Sequence, residues 1–384
     1  MQQDTTSNKK IDWHIINGLR GLAALYVVFN HSRGQLFTDA VTYAEHVNPK
    51  SSWQWWEWLN MLLMQHTNLG AEFVILFFVL SGFSIAHSLR QNSEPKGFYL
   101  RRFIRLYPTY LIGILWAIVV FLIVKYMAPG IYYEAVETRL SMQEFFHNFI
   151  ALPNMVKNLL YLPQNNFMTI QYWSFPLEVI FYLLAPFAIR KLRWYGIITV
   201  VLYLIGWYLR SYNYYHIHHE PIAFQFTFDY GIYFLVGITF YKYKDILLRT
   251  YKLNKAFIFI SLFILFEVLV YTKSYIWAQE HNKITGLVMM LFSYIILFGF
   301  LKYDIHIKVL EKIGVYSYTL YVTHLATVHI VNSFTYYFGI GFYTIDNLFI
   351  WYIGVALSLL CAYLLYWVAE RPSTKYLERL RAKR

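Results

Sequence analysis

Charged residues are scarce in this sequence. Only 14% of its 384 residues are Asp, Glu, Lys or Arg, whereas 58% are hydrophobic and 21% are aromatic. Soluble globular domains carry about a quarter of their residues as charges, so this composition excludes them and predicts an all-α, polytopic membrane protein. The single cysteine, Cys361, excludes an intramolecular disulfide and a metal site built from several cysteines. We therefore expect no bound metal.

Acidic residues are fewer than basic ones, and the formal net charge is +12. Such a balance is also typical of nucleic-acid-binding proteins, but the basic residues here flank apolar segments in short loops. They indicate how the chain crosses the membrane. We therefore expect membrane lipid as a partner and no nucleic acid. A cleavable signal is not predicted, because Lys9 and Lys10 precede an apolar stretch without a small-residue cleavage site.

Apolar runs near the length that crosses a bilayer predict about ten transmembrane helices. Most Lys and Arg fall on one side when the N-terminus is placed in the cytoplasm, which predicts that both termini are cytoplasmic. We expect one membrane unit over residues 1–384, with no appended soluble domain. The predicted spans are 14–32, 70–89, 106–128, 170–189, 195–210, 223–241, 256–273, 284–302, 314–333 and 348–369.

Two long outer loops interrupt this pattern. Residues 33–69 hold four tryptophans and residues 129–169 hold the segment EFFHNFIAL, and both predict amphipathic pieces at the outer membrane surface. An aromatic belt explains the tryptophans better than a platform for sugar stacking. The histidines His216, His218 and His219 resemble a metal-binding tract, but solvated loop residues are the favoured interpretation.

The first predicted span carries two ionisable residues, Arg20 and His31. They are eleven positions apart, so on a helix they share a face and lie roughly 16.5 Å apart along its axis. Ionisable groups inside a membrane are costly and usually face a cavity or a partner, which predicts that this face forms one wall of an active site. An arginine and a histidine that merely reach the two interfaces are the alternative.

The fourth span places Glu178 in the outer half of the membrane, beside Pro176. Glu178 and His31 share this depth, and a carboxylate hydrogen-bonded to an imidazole fixes its tautomer, so Glu178 is expected to orient His31. A buried structural pair is the alternative. Trp173 and Ser174, at the start of this span, are further candidate substrate contacts.

Three arginines precede Pro108. Because proline is common at the start of a helix, we expect the third span to begin near Pro108. Arg101, Arg102 and Arg105 at a helix N-terminus oppose the helix dipole, so an anion is expected among them: phosphate of a nucleotide-bearing cofactor, or lipid headgroups. The roles of two mid-membrane residues, Ser81 and His324, remain open. Ser81 suits helix packing or a ligand arm, and His324 suits a core or a cavity, where it is a further candidate substrate contact.

The order of these segments resembles the membrane-bound acyltransferase-3 family, which includes O-acetylases of O-antigen and other surface polysaccharides. The sequence departs from the family at Asn17, where aspartate is usual, and at Pro176 and Leu177 before Glu178. The matching segments are LRGLAALYVVFNH, FFVLSGF, RRFIRLYP, YWSFPLEVIFYLL, SYTLYVTH and the ERP of Glu370 to Pro372.

The resemblance implies an enzyme of the bacterial inner membrane with cytoplasmic acyl-CoA, acetyl-CoA in particular, as co-substrate. It implies His31 and Arg20 as the essential pair, with a glycan or lipid-linked glycan as acceptor. We expect Arg20, Arg101, Arg102, Arg105 and Ser81 to hold the donor, and His31, assisted by Glu178, to act as general base. A different acceptor, such as peptidoglycan or a small metabolite, and a secondary transporter remain alternatives. The oligomeric state is not predicted.

Overall fold

The computed structural model describes residues 11–37, 39–91, 95–128, 170–211, 226–275, 283–339 and 348–382. The elements in these ranges are helical, which confirms the predicted fold class. The helices are α1 Trp13–Leu36, α2 Ala40–His46, α3 Trp55–His66, α4 Gly70–Gln91, α5 Pro95–Met127, α6 Ser174–Arg190, α7 Leu192–Ser211, α8 Gly231–Thr250, α9 Lys255–Tyr275, α10 Lys283–Tyr303, α11 Lys308–Val315, α12 Ser317–Tyr337, α13 Ile350–Tyr366 and α14 Glu370–Ala382.

Six of these helices are long and apolar enough to cross a membrane, and α13 with α14 makes a seventh if this pair, bent by 42°, is one span. The six are α4, α5, α6 with its preceding turn, α7, α9 and α10. Three further predicted spans are the helices α1, α8 and α12, which have sufficient length but more polar or charged side chains. The structure therefore supports six or seven spans by length and composition, and the count of ten stays a prediction.

Pro108 and Pro176 both lie within helices. The third span does not begin near Pro108, because α5 starts at Pro95 and continues through that proline. The arginines therefore lie within a helix, and the expectation of an exposed helix N-terminus beside them is wrong. Pro176 lies in the first turn of α6, where its missing N–H would have no helical partner in any case. It therefore leaves no broken backbone next to Glu178.

Close contacts hold α1 against its neighbours. A Cβ atom added at Gly21 would collide with the backbone carbonyl of Leu310, and one added at Gly314 would collide with that of Asn17. Glycine at these positions lets the backbones of α1 and α11 touch. Gly82 of α4 and Gly237 of α8 make a second contact of the same kind. Such small residues are typical of helix pairs in membranes.

Contacts between distant segments define two ends of the molecule. At one end His306 lies 3.7 Å from Asp12, and Tyr303 donates a hydrogen bond to the carbonyl of Leu253. At the other end Arg33 donates to Asn68 at 3.1 Å, and Lys273 pairs with Glu72 at 2.9 Å. The predicted alternation of spans assigns the first group of segments to one face of the membrane and the second to the opposite face.

The outer segment 33–69 contains α2 and α3, and the exposed Trp55 and Trp58 lie on α3. Buried Glu57 fixes this segment by accepting hydrogen bonds from the backbone N–H of Gln54 at 2.7 Å and from Tyr43 at 2.8 Å. An amphipathic helix is therefore present where the sequence predicts one. The predictions for residues 129–169 and for His216, His218 and His219 lie outside the described residues.

Candidate active site

A cavity lies among α1, α4, α5, α6 and α12. It holds about 850 Å³ of empty space, part of it open to the outside. Its apolar walls include Val74, Phe77 and Phe78, and hydroxyl groups of serine and tyrosine are interspersed among them. An apolar pocket with a few convergent polar groups is typical of a site for a small molecule.

Three arginines of the sequence prediction line this cavity. Arg20 comes from α1, and Arg102 and Arg105, which are three residues apart, come from α5. Within the described part of the chain, the Nε atoms of Arg20 and Arg102 are buried and have no hydrogen-bond partner. Buried donors normally have a partner, so these two atoms mark a place where an acceptor fits. Arg101 does not line the cavity.

Glu178 lies in the same cavity, where its Oε1 atom accepts hydrogen bonds from Ser81 Oγ at 3.2 Å and from the hydroxyl of Tyr182. Its charge also interacts with those of Arg20 and Arg102. The expected contact between Glu178 and His31 is therefore wrong. A shared depth in the membrane does not fix the direction in which two side chains point, and Glu178 contacts Ser81 and Tyr182 instead.

His31 contacts another histidine instead. Its Nδ1 atom lies 2.7 Å from Nε2 of His324, and the two rings are parallel within 6°. Nδ1 of His324 lies 3.1 Å from the carbonyl oxygen of Leu320 and 2.9 Å from that of Tyr321. His324 is completely buried on α12, whereas His31 is half-buried near the end of α1. Sequence spacing suggested His324 only as a core or cavity residue.

Tyr321 connects the cavity with the histidine pair. It lines the cavity, and its ring centroid lies 6.0 Å from that of His324. Its hydroxyl donates to the carbonyl of Gln171 at 2.6 Å, so it accepts the hydrogen bond that joins it to Ser174 Oγ at 2.7 Å. Ser174 therefore lines the cavity with its hydroxyl already engaged. Trp173 packs in an aromatic group with Phe78 and Tyr230, and the cavity lining does not include it.

Glu370 is a site residue to which sequence reasoning assigned no role. Its Oε2 atom accepts hydrogen bonds from the backbone N–H of Thr319 at 3.1 Å and from the hydroxyl of Thr319 at 3.0 Å. Thr319 is the third residue of α12, so Glu370 caps this helix from another part of the chain. It also interacts electrostatically with Arg20 and Arg105. The ERP segment was the signal, since it places a carboxylate after an apolar span.

No group of three or more His, Cys, Asp or Glu side chains among the described residues could hold a metal ion. The site consists instead of an arginine-rich cavity and, one helical turn beyond Tyr321, a pair of histidines. The fold and this site define a multi-pass helical membrane protein with an arginine-lined cavity among its helices.

The chain belongs to the acyltransferase-3 family, because the family model, described as an acyltransferase domain, matches residues 13–367. The acyltransferase MdmB of Streptomyces mycarofaciens is 32% identical over 117 residues, which cover 30% of this chain. The match covers 26% of MdmB, so it spans about a quarter of the length of that relative. No solved structure matches the chain.

Proposed function

We propose that this protein is an O-acyltransferase of the bacterial inner membrane. It transfers an acyl group, with acetyl favoured, from cytoplasmic acyl-CoA to a hydroxyl of a cell-surface glycan such as O-antigen or exopolysaccharide. The observation that carries the proposal is the cavity in which the buried Nε atoms of Arg20 and Arg102 lack a hydrogen-bond acceptor. Membership of the acyltransferase-3 family supports the reaction class.

The donor matches this cavity in two respects. Guanidinium groups bind phosphate oxygens with charge-assisted hydrogen bonds, and coenzyme A carries phosphates at one end. The apolar walls, which include Phe77 and Phe78, suit a pantetheine arm that bears the thioester at its other end. Arg102 and Arg105 hold the phosphates in this proposal, and the thioester extends past Tyr321 toward His31.

Transfer then proceeds in one step from donor to acceptor. The acceptor oxygen attacks the thioester carbonyl carbon, and Nε2 of His31, the nitrogen not bonded to His324, takes the hydroxyl proton. The C–S bond breaks, an ester forms, and the imidazolium returns its proton to the departing coenzyme A thiolate. A covalent acyl-enzyme is not required, and Cys361, on α13, does not line the cavity.

Glu178 serves the donor end of the site rather than His31. Three cations in one cavity repel one another, and the carboxylate of Glu178 reduces that repulsion before the donor binds. The hydrogen bonds from Ser81 and Tyr182 hold it in place.

The acceptor is the least constrained part of the proposal. Peptidoglycan, a lipid-linked sugar or a small metabolite would also present a hydroxyl to His31. Mass spectrometry of surface glycans from cells with and without the chain distinguishes them, because loss of one acyl unit from a glycan names both the acyl group and the acceptor.

Thioester consumption by the purified protein in detergent tests the reaction. We expect release of free coenzyme A thiol by the wild type and none above background by His31→Ala. Arg102→Ala and Arg105→Ala should raise the KM for acyl-CoA about 10- to 100-fold with a smaller effect on kcat, since a hydrogen bond to a charged group contributes about 1.5–3 kcal/mol.

Arg193→Ala is the matched control, because this exposed arginine on α7 does not line the cavity. Its KM should equal that of the wild type. Wild-type turnover by His31→Ala would exclude His31 as the base. An unchanged donor KM in both α5 variants would exclude the phosphate site.

A further inference from the structure

The chain of hydrogen bonds through His324 has a defined direction. The carbonyl oxygens of Leu320 and Tyr321 can only accept, so Nδ1 of His324, at 3.1 and 2.9 Å from them, carries a proton. A fully buried imidazole with no carboxylate among these contacts is favoured in its neutral form. Nε2 of a neutral His324 then has a lone pair and no proton.

This arrangement decides which nitrogen of His31 is basic. The lone pair on Nε2 of His324 accepts the hydrogen bond across the 2.7 Å contact, so Nδ1 of His31 is the donor and carries the proton. Nε2 of His31 is then the unprotonated nitrogen. A free neutral imidazole side chain favours the opposite tautomer, with its proton on Nε2, and that tautomer cannot take a proton from a hydroxyl at this position.

We propose that His324 is a positioning residue that holds His31 in the Nδ1-protonated tautomer and so presents Nε2 to the acceptor hydroxyl. This inference rests on the proposed function, in which His31 is the general base. Two backbone carbonyls and a neutral imidazole perform here the orienting task that a carboxylate performs in a serine hydrolase. The base therefore gains an orienting partner without a second charge in the apolar interior.

The neighbouring groups are compatible with this assignment. Arg33 and His329 are close enough for a charge on His31 to interact with them, and neither is an anion. Arg33 donates a hydrogen bond to Asn68 at 3.1 Å, so one of its nitrogens already has a partner. Because neither group is an anion that would stabilise it, an imidazolium at His31 would be transient. A group that takes a proton from the hydroxyl and passes it to the thiolate must be charged only transiently.

Three variants of α12 separate an orienting role from a packing role. His324→Gln keeps an acceptor, its Oε1 atom, near the position of Nε2, whereas His324→Leu removes the acceptor and retains apolar volume. Thr323→Val is the matched control, because this buried neighbour donates only to the carbonyl of Thr319 within its own helix. We expect His324→Leu to lower kcat on the order of a hundredfold, the lower range for loss of a general base, with an unchanged donor KM. His324→Gln should restore kcat to within about tenfold of the wild type. Thr323→Val should have the same kcat as the wild type.

Nitrogen-15 NMR of histidine-labelled protein adds a readout that packing does not control. The His31 signals, identified by their absence in His31→Gln, should show protonated Nδ1 and unprotonated Nε2 in the wild type. In His324→Leu they should shift toward the Nε2-protonated form. If His324→Leu does not fold, the wild-type and His324→Gln spectra suffice, and an Nε2-protonated His31 in the wild type overturns the proposal.

The outcomes also separate this inference from the proposed function. If His31→Gln is inactive but His324→Leu turns over at the wild-type rate, His31 remains the base and the positioning role of His324 is wrong. If His31→Gln itself retains wild-type turnover, the base assignment of the proposed function fails, and the inference fails with it. A fall in kcat for His324→Gln as large as that for His324→Leu would also contradict an acceptor-based role.

Discussion

At the residue scale, His31 of α1 contacts a histidine from a distant part of the chain, His324 of α12. Arg20 and His31 are recognisable because a charge within an apolar run is costly. The partner of His31 is 293 positions away in the sequence, and only the packing of α12 against α1 brings His324 to it. Glu178 was assigned to His31 from depth alone, whereas it lines the same cavity as Arg20 and Arg102 and accepts hydrogen bonds from Ser81 and Tyr182.

Glu57 in the outer segment gives a prediction at this scale. Burial alone would raise its pKa, but hydrogen bonds from the Gln54 amide, Asn48 and Tyr43 lower the pKa below its ordinary value. Because the folded pKa is depressed, the stabilisation is present above the unfolded pKa of about 4.3 and is lost as pH falls through the folded value. Glu57→Gln should therefore lower the Tm in detergent near pH 7 by a few degrees, and much less near pH 3. Thermal unfolding of both proteins across this pH range is the measurement, and a Tm difference independent of pH would contradict the assignment.

At the element scale, the helices themselves are the part that the sequence predicts well. Apolar runs located helices at each of the ten predicted spans, because a chain in lipid must satisfy its backbone hydrogen bonds internally. Helix ends were less predictable. The sixth span was placed at 223–241, but α8 begins at Gly231 and is preceded by a π-helical segment at Phe226–Tyr230, a change of helix type that hydropathy does not predict.

The contact between α1 and α11 gives a prediction at the element scale. Gly314→Ala should destabilise the protein by about 1–3 kcal/mol or more, because the added methyl group meets the rigid backbone of Asn17 rather than a movable side chain. Gly34→Ala is the matched control in α1, since no atom lies within 4 Å of its added Cβ. Alanine favours a helix over glycine by about 0.5–1 kcal/mol, so this control should unfold at the same or a slightly higher temperature. Equal Tm values for the two variants would show that the backbones do not touch.

At the scale of the whole molecule, the contacts at each end agree with the alternation of spans but do not say which end faces the cytoplasm. The positive-inside pattern supplies that prediction. Asp12, Leu253 and His306 lie at the predicted cytoplasmic end, and Arg33 and Asn68 lie at the outer end. Long-range contacts of this kind are absent from a hydropathy profile, which treats every span separately.

Single-cysteine labelling tests the orientation. In a Cys361→Ser background, Val47→Cys and Leu253→Cys form a matched pair, because each native side chain is 38% exposed. A membrane-impermeant maleimide should label position 47 in intact spheroplasts and position 253 only after the membrane is opened. The reverse pattern would invert the topology, and the donor would then have to approach the arginine cavity from outside.

The polar side chains of α12 and α1 affect how these two helices enter the membrane. Helix α12 buries Thr319, Thr323, Thr327, His324 and Asn332, and α1 carries Arg20 and His31, so both hold polar or ionisable side chains within a helix of membrane-spanning length. A translocon releases such segments into lipid reluctantly when they are alone. During synthesis α1 emerges long before its partner, and it must remain sheltered by apolar neighbours such as α4 until α12 arrives. The residues proposed to carry the chemistry are thus also the ones that make these two helices costly to insert into lipid alone.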